Sequence, residues 1–253
     1  MEELFSDFPP LQQSVRDLYR VFGHYRLNRN MPSDGLFPTT AEDYALINKF
    51  LNELTGDDFG RYIWKAMTTL GTVEDFKHFL PRLCELAVAA ADSPVDVWCL
   101  STKLRYGNWQ MWRERERSAI AAFMLALFRA SLYEYLSPKR PDEVLHDLAE
   151  ATDDLAPFLA AWEEDRSLSE VLHLADFITS QATALHWHGE VRLFDSKQQS
   201  APDPQVTAWL QQESHRIALE DAFFEHSDGP YAQLLSDAIQ YYDLWKERVA
   251  KKA

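Results

Sequence analysis

Apolar residues recur at steps of three and four positions along most of the chain, which is the pattern of amphipathic helices. Residues 72–91, TVEDFKHFLPRLCELAVAAA, show it most clearly. Thr72 is followed three residues later by Asp75, which resembles the capping box of a helix start. The stripe predicts one buried helix face and leaves Lys77 and His78 pointing away from it. Its apolar positions are Phe76, Phe79, Leu80, Leu83, Leu86 and Ala87.

Pro81 interrupts this stripe and leaves two structures open. A proline lacks the N–H that an interior helix position donates, and its ring crowds the carbonyl group four residues earlier. One structure is a short helix that ends near Phe79, followed by a new helix with Pro81 in its first position. The other is a single helix that bends at Pro81.

Similar stripes predict about ten helices along the chain, separated by short breaks rich in Gly, Pro, Asp and Asn. Residues 119–136 are apolar on nearly all sides, so we expect them to form the central buried helix. Ser93 as cap and Pro94 in the first helical position predict the start of another helix. The penultimate predicted helix takes its apolar positions from Val206, Trp209, Leu210, Ile217, Leu219, Phe223 and Phe224.

Two longer stretches, residues 28–39 and 186–204, have loop composition, and a minor hairpin near residues 191–194 is the one β element predicted. The predicted fold class is therefore all-α, as an irregular helical array or an α-solenoid-like arrangement. No fixed-period repeat decides between the two arrangements. We expect a single domain over residues 1–253, with a soft boundary near residues 137–141.

The chain carries 40 acidic residues against 25 Lys and Arg, which gives a formal net charge of −15 at pH 7. Such a surface repels nucleic acid and anionic membranes, and it suits a basic protein partner. The first ten residues have neither the basic start nor the apolar core of a signal peptide. Cys84 and Cys99 fall in apolar patterns, so we expect buried thiols. These features predict a cytoplasmic protein, and they predict no oligomeric state.

The common catalytic motifs are absent from the sequence: it contains no GxxxxGK[ST], GxGxxG, GxSxG, HExxH or CxxC. Paired carboxylates such as Asp57 with Asp58 fall in turns, where we expect them to be hydrated. General acid–base catalysis needs a carboxylate in a desolvated site. The sequence therefore predicts no catalytic residue and no cofactor.

One patch combines aromatic and basic residues and is the weaker candidate for a ligand site. Its residues are Tyr106, Trp109, Trp112 and Arg113. Aromatic rings beside arginine can stack on a base or bind a phosphate group. The alternative is a solvated helix face, in which Arg and Glu three or four residues apart support each other.

Histidines mark a second stretch with binding chemistry. His186, His188 and Glu190 place three potential metal ligands within five residues, and His173 with Asp176 adds two on one helix face. Because eight histidines make chance clusters common, we predict no metal site. The loop that carries His186 and His188 stays open as a ligand site.

Residues 141–165 differ from the rest because they contain nine acidic residues and neither Lys nor Arg. A field of one sign steers a basic partner towards its binding site, and aromatic anchors dominate many interfaces. Phe158 and Trp162 suit such anchors, and they suit ordinary core positions equally well. The predicted partner-binding residues are Asp142, Glu143, Asp147, Glu150, Asp153, Asp154, Trp162, Glu163, Glu164 and Asp165.

Three stretches, DFKHFLPRLCELA, KLRYGNWQMW and DLAPFLAAWEEDRSLSEVLHLADFI, resemble an uncharacterised family of bacterial cytoplasmic all-helical proteins. The resemblance covers much of residues 70–240, and residues 1–60 lie outside it. It implies a bacterial origin and an all-helical fold. It implies no catalytic residue and no cofactor.

The sequence thus favours a non-enzymatic protein that binds a basic protein partner. The most concrete form is an immunity or antitoxin-type protein that neutralises a bacterial toxin. The alternative is a helical enzyme, or a small-ligand or metal-binding protein, that uses residues 106–113 or the loop of His186 and His188.

Overall fold

The structure is a computed structural model that describes residues 8–28, 41–89, 93–137, 139–194 and 200–252. Those residues contain twelve α-helices and one short two-stranded sheet, which confirms the all-α class and lies close to the predicted helix number. Almost all of the loop predicted at residues 28–39 lies outside the described residues. The choice between a solenoid-like and an irregular array stays a prediction.

In chain order the helices are α1 Pro9–Phe22, α2 Ala41–Asn48, α3 Gly56–Lys65, α4 Val73–Ala89, α5 Val97–Tyr106, α6 Glu114–Tyr133, α7 Pro141–Ala149, α8 Ala156–Trp162, α9 Leu168–Trp187, α10 Pro204–Leu210, α11 Glu213–Glu225 and α12 Ala232–Lys252. Short 3-10 turns cover Leu51–Glu53 and Trp109–Met111. Strand β1, Arg192–Phe194, pairs antiparallel with β2, Ser200–Pro202, and this confirms the predicted hairpin.

Internal contacts divide the chain into two compact units. The first unit comprises residues 1–130 and 147–153, and the second comprises residues 131–146 and 154–253. The expectation of one domain with a soft boundary near residues 137–141 stays a prediction.

Helix α4 runs through Pro81 without a break, which confirms the single-helix alternative. The predicted capping box is present at its start. The Thr72 backbone N–H donates to Asp75 Oδ2 at 2.9 Å, and the Asp75 N–H donates to Thr72 Oγ1 at 3.3 Å. The Asn28 N–H donates to the other carboxylate oxygen at 3.0 Å. Asp75 is therefore satisfied although it is buried.

The predicted helix start at Ser93 and Pro94 is wrong. Helix α5 begins at Val97, because the Asp96 carboxylate accepts a hydrogen bond of 2.6 Å from the Cys99 N–H and so caps the first turn. Cys99 is itself a buried thiol, as is Cys84. Helix α6 covers most of the core helix predicted at residues 119–136 but ends at Tyr133, and its part in the first unit buries Phe123, Met124, Leu127 and Phe128. The prediction that this helix is buried on nearly all sides is wrong, because Ala121 and Ala122 are exposed.

Lys77 also differs from prediction, because it points into the core of the first unit and is only 7% exposed. Its Nζ lies 2.8 Å from Glu116 Oε2 and 4.3 Å from the centre of the Trp112 ring. Nζ also donates to Tyr25 Oη at 3.1 Å, and this hydroxyl donates to Glu116 Oε1 at 2.5 Å. A backbone N–H from Arg113 completes the cluster at 3.3 Å from Glu116 Oε2.

This cluster keeps both of its charges because each one is compensated. Burial alone raises the pKa of the Glu116 carboxyl, but the hydrogen bonds from Lys77 and Tyr25 and the charge of Lys77 outweigh burial and hold that pKa below its ordinary value. Removal of one partner would leave the other charge buried and unpaired.

We expect Glu116→Gln to lower the free energy of unfolding by about 3 kcal/mol, because Lys77 then stays buried without its counter-charge. In a double-mutant cycle, Lys77→Met combined with Glu116→Gln should cost less than the sum of the single changes. Urea denaturation measures all three variants. The control is Arg20→Gln, which breaks an exposed pair with Asp17 and should cost less than about 1 kcal/mol. Equal costs for Glu116→Gln and Arg20→Gln would contradict the buried cluster.

In the second unit an aromatic core forms around Trp209. The centres of the Trp162 and Trp209 rings lie 5.2 Å apart, and those of Trp209 and His215 lie 4.4 Å apart. Trp162 also packs on Phe177 at 5.7 Å and donates from Nε1 to the Glu170 carbonyl at 3.2 Å. The core therefore includes a histidine on the inner side of α11.

The pKa of His215 is lowered to about 4, mainly because the ring is buried. A hydrogen bond to the backbone raises this pKa and the charge of Arg166 lowers it, and both effects are smaller than that of burial. In that bond Nε2 donates to the Trp209 carbonyl at 3.0 Å. Glu163 Oε1 lies 3.7 Å from Nε2, but the ring is neutral at pH 7, so the two do not form an ion pair there.

The stability contribution of neutral His215 is fully present above its ordinary pKa of 6.5 and is lost as the pH falls towards 4. We expect this loss to reach about 3 kcal/mol, because only the unfolded chain takes up the proton in that range. Urea denaturation of wild type and His215→Gln between about pH 7 and pH 4 measures it, and the variant should show the shallower dependence. His188→Gln, at an exposed position, should follow wild type. Parallel curves for wild type and His215→Gln would rule out the buried neutral ring.

Candidate partner-binding surface

The acidic residues predicted to bind a partner belong to both units. Asp147, Glu150 and Asp153 lie in the first unit. The second unit carries the others, which are Asp142, Glu143, Asp154, Trp162, Glu163, Glu164 and Asp165.

In the first unit, Arg105 of α5 binds to the segment that carries the acidic group. Its guanidinium lies 2.9 Å from Asp153 Oδ1, and it donates to the backbone carbonyls of Glu150 at 2.5 Å and Ala149 at 2.8 Å. Asp147 is buried and Glu150 is half-buried. The strongly exposed carboxylate of this group, Asp153, is thus already paired.

In the second unit, two of the predicted acids have arginine partners. Asp142 accepts two hydrogen bonds from Arg140, at 2.9 and 2.7 Å, and Glu163 lies 4.0 Å from Arg166. The acids that present their side chains to solvent are Glu143, Asp154, Glu164 and Asp165. Four of the predicted acids in the second unit are therefore accessible to solvent.

The predicted aromatic anchors belong to the core. Trp162 is 3% exposed, and Phe158 is also buried. Of the two roles that the sequence left open for them, the structure places both residues in core positions. The segment 141–165 therefore offers charge to a partner but no exposed aromatic ring.

Exposed apolar side chains that suit a partner occur instead on α11. Ile217 is 51% exposed and Phe224 is 70% exposed. The exposed residues Glu213, Ile217, Glu220 and Phe224 follow one another at steps of four, three and four residues. These steps place them on one side of the helix, because a helix turns once in 3.6 residues. We call this side the α11 outer face, and its exposed residues are Glu213, Ile217, Glu220, Asp221, Phe224 and Glu225.

Four carboxylates surround the two apolar side chains of the α11 outer face. Among the described residues, the one ion pair of these carboxylates is between Glu220 and Arg216, at 3.2 Å, and Arg216 also binds Asp243 at 2.8 Å. An exposed apolar patch with a polar rim is typical of a protein interaction site. Here the rim carries one sign of charge.

The turn that follows α8 lies beside the first turn of α11. Arg166 donates to the Ser214 carbonyl at 3.3 Å, and Glu163 lies 3.7 Å from His215. This turn carries the exposed Glu164 and Asp165 of the predicted acidic segment. Part of the predicted acidic surface therefore adjoins the α11 outer face.

Sequence reasoning missed the outer face because it counted Ile217 and Phe224 with Leu219 and Phe223 as one apolar set. Four residues at these positions cannot share one side of a helix. The buried side consists of His215, Leu219 and Ala222, at steps of four and three. The sequence contains the spacing that identifies the buried side, but this spacing is visible only if His215 and Ala222 are counted as core residues.

The aromatic and basic patch at residues 106–113 is mostly structural. Trp109 is buried and donates from Nε1 to the Ala151 carbonyl at 2.8 Å. The Nε1 of Trp112 donates to the Gly107 carbonyl at 2.8 Å, and its ring covers Lys77. Tyr106 and Arg113 are exposed. Neither tryptophan is free to stack on a ligand.

The histidines considered as metal ligands do not converge. His173 and His186 both lie on α9, and their separation of 13 residues corresponds to about 20 Å along a helix. His173 Nε2 lies 3.0 Å from the Glu134 carbonyl, and Asp176 accepts from the Tyr135 hydroxyl at 2.8 Å. Within the part of the chain that the structure describes, no three His, Cys, Asp or Glu side chains form a metal-binding group.

Comparison with protein-family models, with curated proteins and with solved structures found no match to this chain. The resemblance to an uncharacterised bacterial family therefore stays a prediction. None of the described helices is both long enough and apolar enough to cross a membrane.

The contrast between core and surface aromatic residues can be measured. We expect Trp162→Ala to lower the free energy of unfolding by about 3–5 kcal/mol, because it opens a cavity beside Trp209 and Phe177. Phe224→Ser should change it by less than about 0.5 kcal/mol, because its ring is already in solvent. Thermal and urea unfolding report both values. A Trp162→Ala variant as stable as wild type would place Trp162 outside the core.

Proposed function

We propose that this protein is a non-catalytic binding protein that binds a basic protein partner through the α11 outer face. In its most concrete form it is an immunity or antitoxin-type protein that neutralises a basic bacterial toxin domain. The observation that carries the proposal is the exposure of Ile217 and Phe224 within a ring of four carboxylates.

The apolar residues of this face supply the affinity. Full burial of a Phe or Ile side chain contributes about 1.5–3 kcal/mol each, and aromatic residues near the centre of an interface often dominate its binding energy. The face is also rigid, since His215, Leu219 and Ala222 fix the other side of α11 in the core. Little conformational entropy is therefore lost when a partner binds.

The carboxylates select the partner by charge. Glu213, Glu220, Asp221 and Glu225 attract Lys and Arg side chains, and the net charge of −15 extends the attraction over a longer range. The same field repels nucleic acid and anionic lipid. A basic protein surface with an apolar centre therefore fits this face best.

The test measures binding to a purified basic toxin domain encoded beside the gene for this chain. We expect Ile217→Ser combined with Phe224→Ser to weaken binding at least 100-fold, since two apolar anchors are lost. Glu220→Lys combined with Asp221→Lys should mainly slow association and reduce its dependence on salt. Calorimetry gives the affinity, and surface plasmon resonance gives the rates.

Matched controls lie on the first unit. Tyr44→Ser removes another exposed aromatic side chain, and Asp57→Lys combined with Glu74→Lys reverses two exposed acids. These variants should bind like wild type apart from a small change in association rate. If the chain neither binds nor neutralises the neighbouring domain, the proposal fails. If the α11 variants bind like the controls, the binding surface lies elsewhere.

A further inference from the structure

A separate groove lies between α9 and α12 in the second unit. The two helices run in the same direction. The Tyr135 ring contacts His173 near the start of α9 at 5.3 Å, and it contacts Tyr231 just before α12 at 5.2 Å. At the other end, Arg248 of α12 donates to the carbonyl of Trp187, the last residue of α9, at 3.5 Å.

The groove has a volume of about 260 Å³ and aromatic walls, and it is lined by Ala182, Thr183, His186, Trp187, Tyr241, Leu244 and Trp245. Trp245 is buried and donates from Nε1 to the Gly189 carbonyl at 2.9 Å, which fixes its ring in place. Trp187 is 64% exposed. The volume lies slightly below the range of about 300–1,000 Å³ for typical ligand sites, so a ligand of one or two fused rings fits.

The residues that line this groove differ in charge from the acidic chain as a whole. None of the seven lining residues is acidic, although the chain has 40 acidic residues. Arg248 lies one helical turn beyond Leu244 and is half-buried. Among the described residues it has no carboxylate partner. Its Nε is buried without a hydrogen bond, and its one hydrogen bond is the long one to Trp187.

A half-buried guanidinium without a carboxylate partner favours the binding of an anion. A guanidinium has five N–H donors in a planar fork, and this fork matches the two oxygens of a carboxylate. The hydrogen bond to the Trp187 carbonyl places the guanidinium at the Trp187 end of the groove. Aromatic rings favour flat partners that stack against them or meet them edge to face.

We infer that this groove binds a small planar aromatic carboxylate. The ring system lies against Trp187, Tyr241 and Trp245, and the carboxylate pairs with Arg248. His186 offers a second polar group at the rim. This site is distinct from the α11 outer face, so it goes beyond the proposed binding of a basic protein, and each can fail without the other.

The probe for this site is 2-naphthoate, titrated into the full chain while tryptophan fluorescence and calorimetry follow binding. We expect saturable binding of one probe per chain, with a Kd between about 10 μM and 1 mM. Neutral 2-naphthylmethanol and cationic 2-naphthylmethylamine should bind at least about tenfold more weakly, because neither can pair with Arg248.

Three variants locate the bound probe. Arg248→Gln should raise the Kd for 2-naphthoate about tenfold and should remove its advantage over the neutral probe. Thr183→Phe fills the groove from an exposed position and should abolish binding, while circular dichroism checks that the chain is folded. Lys251→Gln removes a different, exposed charge from the same helix and should bind like wild type.

Four outcomes would overturn the inference. They are no saturable binding up to about 5 mM probe, equal affinity for the three probes, an unchanged Kd in Arg248→Gln, and an unchanged Kd in Thr183→Phe. The second outcome would show an apolar surface without selectivity for an anion, as expected if a protein partner covers it. A toxin-binding experiment tests the α11 outer face and not this groove. Its result neither supports nor contradicts the inference about the groove.

Discussion

Burial of one side of each amphipathic helix is the constraint on which the rest of this structure depends. It decides which polar groups enter the core, and these groups then need partners. Lys77 enters with α4 and meets Glu116, while His215 enters with α11 and stays neutral between Trp209 and its neighbours. In both cases the position of the residue on its helix determines whether its side chain is charged or neutral and which groups it contacts.

The same constraint makes the exposed apolar residues informative. Once Leu219 and Ala222 fix the inner side of α11, Ile217 and Phe224 are held in solvent by geometry alone. The groove between α9 and α12 arises in the same way, because Trp245 is fixed in the core and Trp187 is left at its rim. The residues that the structure describes cover neither feature, and the proposed binding roles would account for both.

Sequence periodicity was sufficient for the fold class and for the apolar stripe of α4, since these depend on neighbours along the chain. It left open whether the helix continues through Pro81, and the hairpin near β1 was predicted within a stretch of loop composition. It failed where the partner is distant. The pair of Lys77 and Glu116 joins positions 39 residues apart, and no local pattern announces it. Trp162 shows the same limit, because its core role depends on Trp209 and Phe177. For the site, the acidity of residues 163–165 was visible in the sequence, whereas the adjoining α11 outer face required knowledge of which side of that helix is buried.

The central claim is that Ile217 and Phe224 contact a basic partner, and nuclear magnetic resonance can observe this contact directly. In a cross-saturation experiment, the partner carries protons and this chain is deuterated except at isoleucine methyl groups and phenylalanine rings. Irradiation of the bound partner should reduce the signals of Ile217 and Phe224, while those of the buried Ile63 and Phe59 in the first unit stay unchanged. Signal loss that spares α11 and falls on another surface of the chain would contradict the account.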